Sequence, residues 1–348
     1  MKTNYSYQDK AANTVINNAL SDQYIASILA ACPGAGKTTI SQIILNKYTK
    51  QFPNSRILVL TEGKNFLKSQ YLNELDNSHI KVEFTYGDFN SNAQVRVGLP
   101  QSIEDLEWKK IDLVLIDEAH NFYLADTVQS IIKKLNPKHK ILMTGSPTQF
   151  NGKSSYAIHY IAAEELMESG VFSSVHMDVA RCIDKKNPWR AMESVLTTAK
   201  AKRDDMSKIM VACPTIEYAG KVRDYLTYIG FSVSLSTSEN DKNDSEILKF
   251  KNGETKVLIV VGKGILGFND KKVTLLADLR SSSNLDASYQ LFARVLRTHP
   301  EGVRKTYYRI SDKDYNAQVL TLHKMTALMR KDIFKGFTGK NLKLAFTA

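Results

Sequence analysis

The chain of 348 residues has little of several residue types that define particular classes of protein. It contains three cysteines (Cys32, Cys182 and Cys213), 8 prolines and 17 glycines. Three widely spaced cysteines exclude a disulfide framework and a CxxC-type zinc site, and they fit a reducing compartment. So few glycines and prolines argue against a fibrous or linker-rich chain. No uninterrupted apolar run approaches the roughly 20 residues that a membrane span needs.

The amino-terminal segment, residues 1–10, is polar and lacks the apolar core of a signal peptide. We therefore expect a cytoplasmic protein without a membrane partner. The compact size and the many lysines and asparagines favour a bacterial or phage-infected host cytoplasm.

Positive charge is concentrated in the second part of the chain. The formal net charge is +11, with 16 Lys+Arg against 14 Asp+Glu in residues 1–150 and 31 against 22 in residues 151–348. A basic excess of this size suits a polyanion such as nucleic acid, contacted through its phosphate backbone. A solvated surface with no such partner would have the same composition, so charge alone leaves both interpretations open.

Short apolar runs alternate with helix-length amphipathic segments along most of the chain. The first series of predicted strands is 24–30, 56–61, 81–85, 112–116 and 141–144, with helices predicted at 38–48, 66–75 and 125–135. The second series is 209–213, 231–235, 257–261, 273–277 and 306–310, with helices predicted at 217–228 and 287–297. Strands that read as buried on both faces and alternate with helices predict parallel α/β units.

We therefore predict two α/β domains joined by a bridge. The first domain covers residues 1–150 and the second covers residues 205–310. Residues 151–204 form the bridge, with helices predicted at 157–168 and 188–201. Residues 311–348 form a carboxy-terminal helix, whose apolar stripe is expected to pack on the core, and a basic tail.

A phosphate-binding loop is predicted from the sequence ACPGAGKTT at residues 31–39, which follows a strand and opens a helix. In this context backbone N–H groups and the amino terminus of the helix hold the phosphates. Lys37 would reach the β- and γ-phosphates of ATP, and the Thr38 hydroxyl would bind Mg²⁺. Ala31 stands where the usual pattern has its first glycine. The predicted ATP-binding residues of the loop are Pro33, Gly34, Ala35, Gly36, Lys37, Thr38 and Thr39.

Two adjacent carboxylates, Asp117 and Glu118, follow an apolar strand in the sequence IDLVLIDEAH at residues 111–120. Asp117 can hold Mg²⁺ directly or through water, and Glu118 can position and deprotonate an attacking water. Hydrolysis of a nucleoside triphosphate needs both tasks. Without the phosphate-binding loop, the same residues would be read as a turn with solvated acids.

With these two motifs, the chain resembles superfamily 2 helicases and translocases of the DEAH-box type. The resemblance implies a P-loop NTPase with two tandem RecA-like domains of parallel sheets and ATP in the cleft between them. It also implies that Gln8, within the sequence YQDKA, reads the adenine edge. The sequence MTGSPT at residues 143–148 is similar to the third motif of the family. His120, Thr144 and Ser146 would then couple hydrolysis to domain movement.

The second half carries further segments that are similar to this family. The sequence IMVACPT at 209–215 resembles the first strand and loop of the second motor domain. The sequence VLIVVGKGILGFN at 257–269 resembles the fifth motif, in which Lys263 would contact nucleic acid and Gly267 would contact ATP. The family usually has Asp where Asn269 stands, and this departure leaves the ATP-coupling role of that position open.

The sequence QLFARVLR at 290–297 resembles the sixth motif, with an alanine in place of its glycine. Gln290, Arg294 and Arg297 share one helical face at this spacing, and the resemblance makes them catalytic. Arg294 and Arg297 would reach the γ-phosphate as arginine fingers. Lys64 and Lys68, in the loop after the second strand, would contact nucleic-acid phosphates or remain solvated.

Together the motifs predict an ATP- and Mg²⁺-dependent helicase or translocase that moves along nucleic acid, on DNA rather than RNA, and unwinds or remodels it. A replication or recombination protein is expected as a further partner. The alternative is a non-unwinding ATPase subunit acting with a nuclease or loader, recognisable because its ATP turnover would rise with that partner. A P-loop small-molecule kinase would not need the helix at 290–297.

Overall fold

The computed structural model describes residues 5–21, 23–61, 82–84, 93–99, 110–145, 155–241, 243–262, 270–280, 282 and 284–330. Contacts within the chain define two compact units, which consist mainly of Lys2–Leu166 and Met167–Met329. Each unit contains one parallel sheet with helices. No helix in these described ranges has both the length and the apolar character needed to cross a bilayer.

The first unit is built on a seven-stranded sheet with the order β3-β4-β2-β5-β6-β1-β7. Its strands are β1 (Ala26–Ala31), β2 (Ile57–Leu60), β3 (Val82–Phe84), β4 (Val95–Gly98), β5 (Leu113–Ile116), β6 (His139–Thr144) and β7 (Tyr156–Ile161). Its helices are α1 (Ser6–Leu20), α2 (Lys37–Gln51), α3 (Ala119–Phe122), α4 (Asp126–Leu135) and α5 (Ala163–Glu168).

The central strands β1, β2 and β5 consist of apolar residues except for Ser27 in β1. Every residue of β1, β2 and β5 is buried. Helix α4 packs its apolar positions Val128, Ile132 and Leu135 against the sheet, at the spacing of one helical face. Because the strands are parallel, their carboxyl ends and the loops that follow them lie at one edge of the sheet.

The second unit contains a six-stranded sheet with the order β10-β11-β9-β12-β13-β8. Its strands are β8 (Val175–Arg181), β9 (Ile209–Ala212), β10 (Val233–Ser236), β11 (Val257–Val260), β12 (Leu275–Asp278) and β13 (Lys305–Ser311). Its helices are α6 (Pro188–Ala201), α7 (Ile216–Tyr228), α8 (Ser245–Asn252), α9 (Leu285–Leu296) and α10 (Tyr315–Met329).

A buried ionic network ties helix α9 to this second sheet. Asp278 and Arg309 are each 1% exposed, with Arg309 Nη1 3.5 Å from Asp278 Oδ2. Arg309 also donates to Ser288 Oγ on α9 over 2.8 Å. Arg280 Nε donates to Asp278 Oδ1 over 2.8 Å, and the Tyr307 hydroxyl donates to Oδ2 over 2.9 Å. Burial alone would raise the pKa of Asp278, but the hydrogen bond and charge of Arg280 and the charge of Arg309 bring it below its ordinary value.

The segment between the two predicted domains differs from its prediction in two respects. The helix predicted at 157–168 is wrong over its first part, where β7 (Tyr156–Ile161) pairs in parallel with β1, and only Ala163–Glu168 is helical. The strand β8 was not predicted, and it pairs with β13 at the edge of the second sheet. The helix predicted at 188–201 is confirmed. Its first turn is capped by Asn187 Oδ1, which accepts hydrogen bonds from the backbone N–H groups of Trp189 and Arg190.

All three cysteines are free and buried, with exposures of 0% for Cys32, 8% for Cys182 and 1% for Cys213. The structure thus agrees with the expectation that the chain has no disulfide framework. Burial raises the pKa of the Cys213 thiol well above its ordinary value, which keeps that thiol protonated and unreactive.

We expect Asp278→Asn to destabilise the second unit by about 3–5 kcal/mol, because it leaves two buried guanidinium groups without their counter-charge. Urea unfolding followed by circular dichroism measures the change. Asp224→Asn is the matched control: this carboxylate is exposed on α7, where it pairs with Arg223, and its loss should leave the unfolding midpoint almost unchanged. Equal midpoints for the two variants would show that the network does not stabilise the unit.

Candidate active site

Three chain segments meet at one edge of the first sheet because of its strand order. Strand β6 lies between β5 and β1, and both pairings are parallel. The carboxyl ends of these three strands therefore point the same way and lie side by side. The loop after β1, the Asp117–Glu118 turn after β5 and the Thr144–Gly145 segment after β6 come together there.

The loop after β1 wraps tightly before helix α2 begins at Lys37. Gly34 and Gly36 have φ values of 92° and 82°, in the left-handed region that favours glycine. The Ala35 N–H donates to the Cys32 carbonyl over 3.0 Å, which closes the turn. A Cβ atom on Gly36 would lie 2.6 Å from Gln8 Nε2, so this position needs glycine for its backbone and for its neighbour.

Lys37 lies at the centre of this group of residues. Its Nζ is 3.4 Å from Glu118 Oε1, and the two side chains are 11% and 25% exposed. A Cβ atom on Gly145 would lie 3.6 Å from the same Nζ, so the lysine passes directly over the end of β6. The sequence prediction that Lys37 and Glu118 share one site is thus matched by their placement.

The turn that carries the two carboxylates has an unusual backbone conformation. Asp117 is 3% exposed and its N–H donates to the Leu60 carbonyl over 2.8 Å, while its Oδ1 accepts from the Glu118 N–H over 2.9 Å. Glu118 has a φ of 48°, in a region that non-glycine residues rarely adopt. Such strain is found most often at functional sites. Here the strained residue is Glu118, whose side chain turns toward the phosphate-binding loop.

His120 links the acidic turn to the end of β6. Its Nδ1 is 3.5 Å from Glu118 Oε2 and 3.1 Å from the hydroxyl oxygen of Thr144. Thr144 is fully buried. A continuous series of polar contacts therefore runs from Lys37 through Glu118 and His120 to Thr144.

The residues at this edge fit a bound Mg²⁺. This ion is commonly held by one or two carboxylates together with phosphate oxygens and water. Asp117 is a buried carboxylate at the end of β5, the strand separated from β1 and the phosphate-binding loop only by β6. The hydroxyl of Thr38, in the first turn of α2, is an oxygen donor of the right kind.

Helix α1 covers the phosphate-binding loop from one side and brings Gln8 to it. Tyr7 and Gln8 are buried on this helix, at 8% and 9% exposure. The Tyr7 hydroxyl donates to the Ala35 carbonyl over 2.7 Å. Gln8 was predicted from the sequence and Tyr7 was not, although the tyrosine precedes the glutamine on a helix that packs against the strand before the loop.

In the second unit, Gln290, Arg294 and Arg297 form a half-buried stripe along one side of α9 and its end. The opposite side of the helix is fully packed, by residues such as Tyr289 and Phe292. The helix ends at Leu296, and the backbone of the next residue, Arg297, forms an isolated antiparallel bridge with Phe172. The shared face and the catalytic roles of the three polar residues stay predictions; Gln290 and Arg294 lie one helical turn apart on α9, and Arg297 is the residue that follows the helix.

Several predicted site residues lie outside the described residues. These are Ser146, the nucleic-acid contacts Lys64, Lys68 and Lys263, and the ATP contact Gly267. The basic tail after Arg330 and the helix predicted at 66–75 lie outside them as well. Their proposed roles remain predictions from sequence.

Comparison with known proteins gave one family match for the first part of the chain. Residues 1–149, which contain the first sheet up to β6, match the model of a family described as "Type III restriction enzyme, res subunit". No curated protein matches the chain by sequence.

Two solved structures have the same arrangement of elements. A fragment described as an HsdR subunit of a type I restriction enzyme from Vibrio vulnificus YJ016 is 18% identical, with a TM-score of 0.72 over 96% of this chain and 66% of that one. S. cerevisiae Dbp5 bound to RNA and ADP BeF3 is 16% identical, with a TM-score of 0.65 over 92% of this chain and 87% of that one. The fold is therefore that of two tandem RecA-like domains.

We expect Lys37→Ala to abolish ATP turnover, because the β- and γ-phosphates lose the positive charge that neutralises them. Phosphate release measured at saturating ATP tests this. The control is Lys50→Ala, which removes an exposed lysine from the last turn of the same helix and should leave turnover unchanged. A folded Lys37→Ala protein with near-normal turnover would contradict the assignment of the loop.

We expect Glu118→Gln to keep ATP binding and to stop hydrolysis, because an amide cannot accept the proton of an attacking water. Equilibrium binding of a fluorescent ATP analogue and phosphate release separate the two effects. Glu164→Gln, at an exposed position of α5, is the control and should hydrolyse ATP normally. Turnover by Glu118→Gln at the unmodified rate would place the general base elsewhere.

Proposed function

We propose that this protein is an ATP-dependent DNA helicase or translocase of the DEAH-box type, which couples ATP hydrolysis to movement along nucleic acid. The observation that carries the proposal is the 3.4 Å approach of Lys37 Nζ to Glu118 Oε1 at the carboxyl edge of the first sheet. A lysine from a phosphate-binding loop and a carboxylate that can act as a base are the two groups that NTP hydrolysis needs together.

Each residue of the site has a role in this reaction. Lys37 binds the β- and γ-phosphates, and an arriving γ-phosphate would compete with Glu118 for its charge. Asp117 and Thr38 would hold Mg²⁺, which supplies charge neutralisation of the phosphates when bound. Glu118, released from the lysine, then takes the proton of the attacking water. His120 contacts both Glu118 and Thr144. It is therefore placed to transmit a change in the contacts of Glu118 to β6.

The second RecA-like domain would complete the site through its helix α9. Arg294 and Arg297 are the predicted arginine fingers, and Gln290 lies on the same stripe. Because Arg297 directly follows the helix and pairs through its backbone with Phe172, its position is fixed within its own unit.

Nucleic acid is the proposed track, and its phosphate backbone the main contact. The excess of 31 Lys+Arg over 22 Asp+Glu in residues 151–348 supports a polyanion. We propose DNA rather than RNA because the family match and one structural neighbour are restriction-enzyme subunits, and restriction enzymes act on DNA. The RNA in the Dbp5 structure supports the alternative track. Three free, buried cysteines suit a reducing bacterial or phage-infected cytoplasm.

A second function, a non-unwinding motor subunit serving a nuclease or loader, is favoured by one specific observation. Both the matched family and the HsdR neighbour are described as subunits of larger enzymes. In that case ATP turnover would depend on a partner protein, and the isolated chain would not separate strands. A replication or recombination protein is the partner predicted for the helicase itself.

The test of the proposed function is ATP turnover measured with single-stranded, duplex, forked and four-way DNA and with the same set in RNA. We expect DNA to stimulate turnover, and the stimulation to fall steeply as salt rises because phosphate contacts release counterions. A strand-displacement assay on the forked substrate distinguishes unwinding from translocation alone. No stimulation by any nucleic acid would refute the motor proposal. Stimulation without strand displacement would favour the subunit function.

We expect Arg297→Ala to lower stimulated turnover by at least about 10³-fold while changing ATP affinity much less, because an arginine finger acts mainly in the transition state. Single-turnover hydrolysis and equilibrium ATP binding measure the two quantities. The control is Arg304→Ala, an exposed arginine of the same unit. Stimulated turnover of Arg297→Ala at the unmodified rate would mean that the second domain does not complete the site.

A further inference from the structure

Tyr7 and Gln8 are adjacent buried residues whose polar groups form a short chain of hydrogen bonds to the phosphate-binding loop. The Tyr7 hydroxyl donates to the Ala35 carbonyl over 2.7 Å. Gln8 Nε2 in turn donates to the Tyr7 hydroxyl oxygen over 3.4 Å. The same Nε2 faces the Gly36 Cα, where an added Cβ would lie 2.6 Å away. The side-chain amide of Gln8 is therefore enclosed between a hydroxyl and the backbone of the loop.

The donors and acceptors of these two hydrogen bonds follow from the single hydrogen of the Tyr7 hydroxyl. A tyrosine hydroxyl has one hydrogen, and here it is given to a backbone carbonyl that accepts it at short range. Toward Gln8 the hydroxyl can only accept, so Gln8 must present its NH₂ group rather than its carbonyl oxygen. If the Gln8 amide were flipped, its carbonyl oxygen would face the Tyr7 hydroxyl oxygen. Either these two oxygen atoms would repel each other, or the hydroxyl would donate to Gln8 and the Ala35 carbonyl would lose its donor.

We propose that Tyr7 is a specificity-determining residue, which fixes the orientation of the Gln8 amide and thereby makes the site prefer adenine over guanine. This inference rests on the proposed function, in which Gln8 reads the base of ATP. With its NH₂ group held on the side of Tyr7 and the loop, Gln8 offers its carbonyl oxygen as a fixed acceptor for the amino group of adenine. Tyr7 itself does not touch the base.

The chemistry of the two purines turns this orientation into selectivity. Adenine presents an N6 amino donor beside its N7 acceptor, whereas guanine presents two acceptors, O6 and N7. A carbonyl oxygen held at the N6 position is therefore paired by adenine and repelled by guanine. An amide that could turn over freely would offer its NH₂ group to guanine O6 and lose part of the discrimination.

The test is Tyr7→Phe in the full chain, with kcat/KM measured for ATP and for GTP under one set of solution conditions. We expect the ATP-to-GTP ratio of kcat/KM to fall about three- to tenfold, the size of one lost hydrogen bond. The kcat for ATP should change less than about twofold, because the reacting groups are untouched. The ratio compares two substrates on one preparation, so it does not depend on the fraction of folded protein.

Two further variants make the test specific. Tyr5→Phe removes a hydroxyl from a neighbouring tyrosine that is 50% exposed, and it should leave the ratio unchanged. In a Gln8→Ala background, Tyr7→Phe should cause no further loss of selectivity, because there is no amide left to orient. Equal loss in both backgrounds would show that Tyr7 acts only through the packing of the loop, and would overturn the inference.

The outcomes separate this inference from the proposed function. A Tyr7→Phe protein that hydrolyses ATP with the unmodified ATP-to-GTP ratio overturns the role of Tyr7 and leaves the ATPase intact. An unmodified protein that hydrolyses ATP and GTP equally well also overturns it. An unmodified protein that hydrolyses neither nucleotide, with or without nucleic acid, refutes the proposed function itself.

Discussion

The parallel pairing of β6 with both β5 and β1 is the constraint on which the candidate active site depends. The register aligns Ile116 with Leu142 and Ala30 with Thr144, so three strands end close to one line across the sheet. Residues that are remote in sequence become neighbours only through this order. A shift of one residue in β6 would turn its buried side chains to the other face and move Thr144 away from His120.

The ion pair between Lys37 and Glu118 has a second meaning besides marking the site. The ammonium group of Lys37 and the carboxylate of Glu118 are each other's charged partners in this structure. Because both side chains are largely shielded from water, neither charge is well solvated alone, and their attraction is stronger than it would be at the surface. In the proposed function, a nucleotide that bound Lys37 would change the environment of Glu118 at the same time, which would link substrate binding to activation of water.

Sequence alone predicted most central strands and the local parts of the site. Uninterrupted apolar runs fixed β5 and β9, and the spacing of glycine and lysine fixed the loop at 31–39. Prediction failed for β7 and β8, which lie at sheet edges and mix polar with apolar residues. It also failed for β4, which is fully buried but is interrupted by Arg96. The contacts of His120 with Thr144 and of Tyr7 with Ala35 could not be predicted, because they depend on strand order and on helix placement rather than on any local pattern.

The burial of the cysteines has a practical consequence for spectroscopy. Since Cys32, Cys182 and Cys213 are at most 8% exposed, thiol reagents should react slowly with the native chain. Dyes attached to Lys50→Cys on one domain and Tyr228→Cys on the other would then label two surface sites, with little labelling of the native cysteines. Fluorescence transfer between those dyes would report whether the distance between the two labelled sites changes when nucleotide is added, without replacing any native thiol.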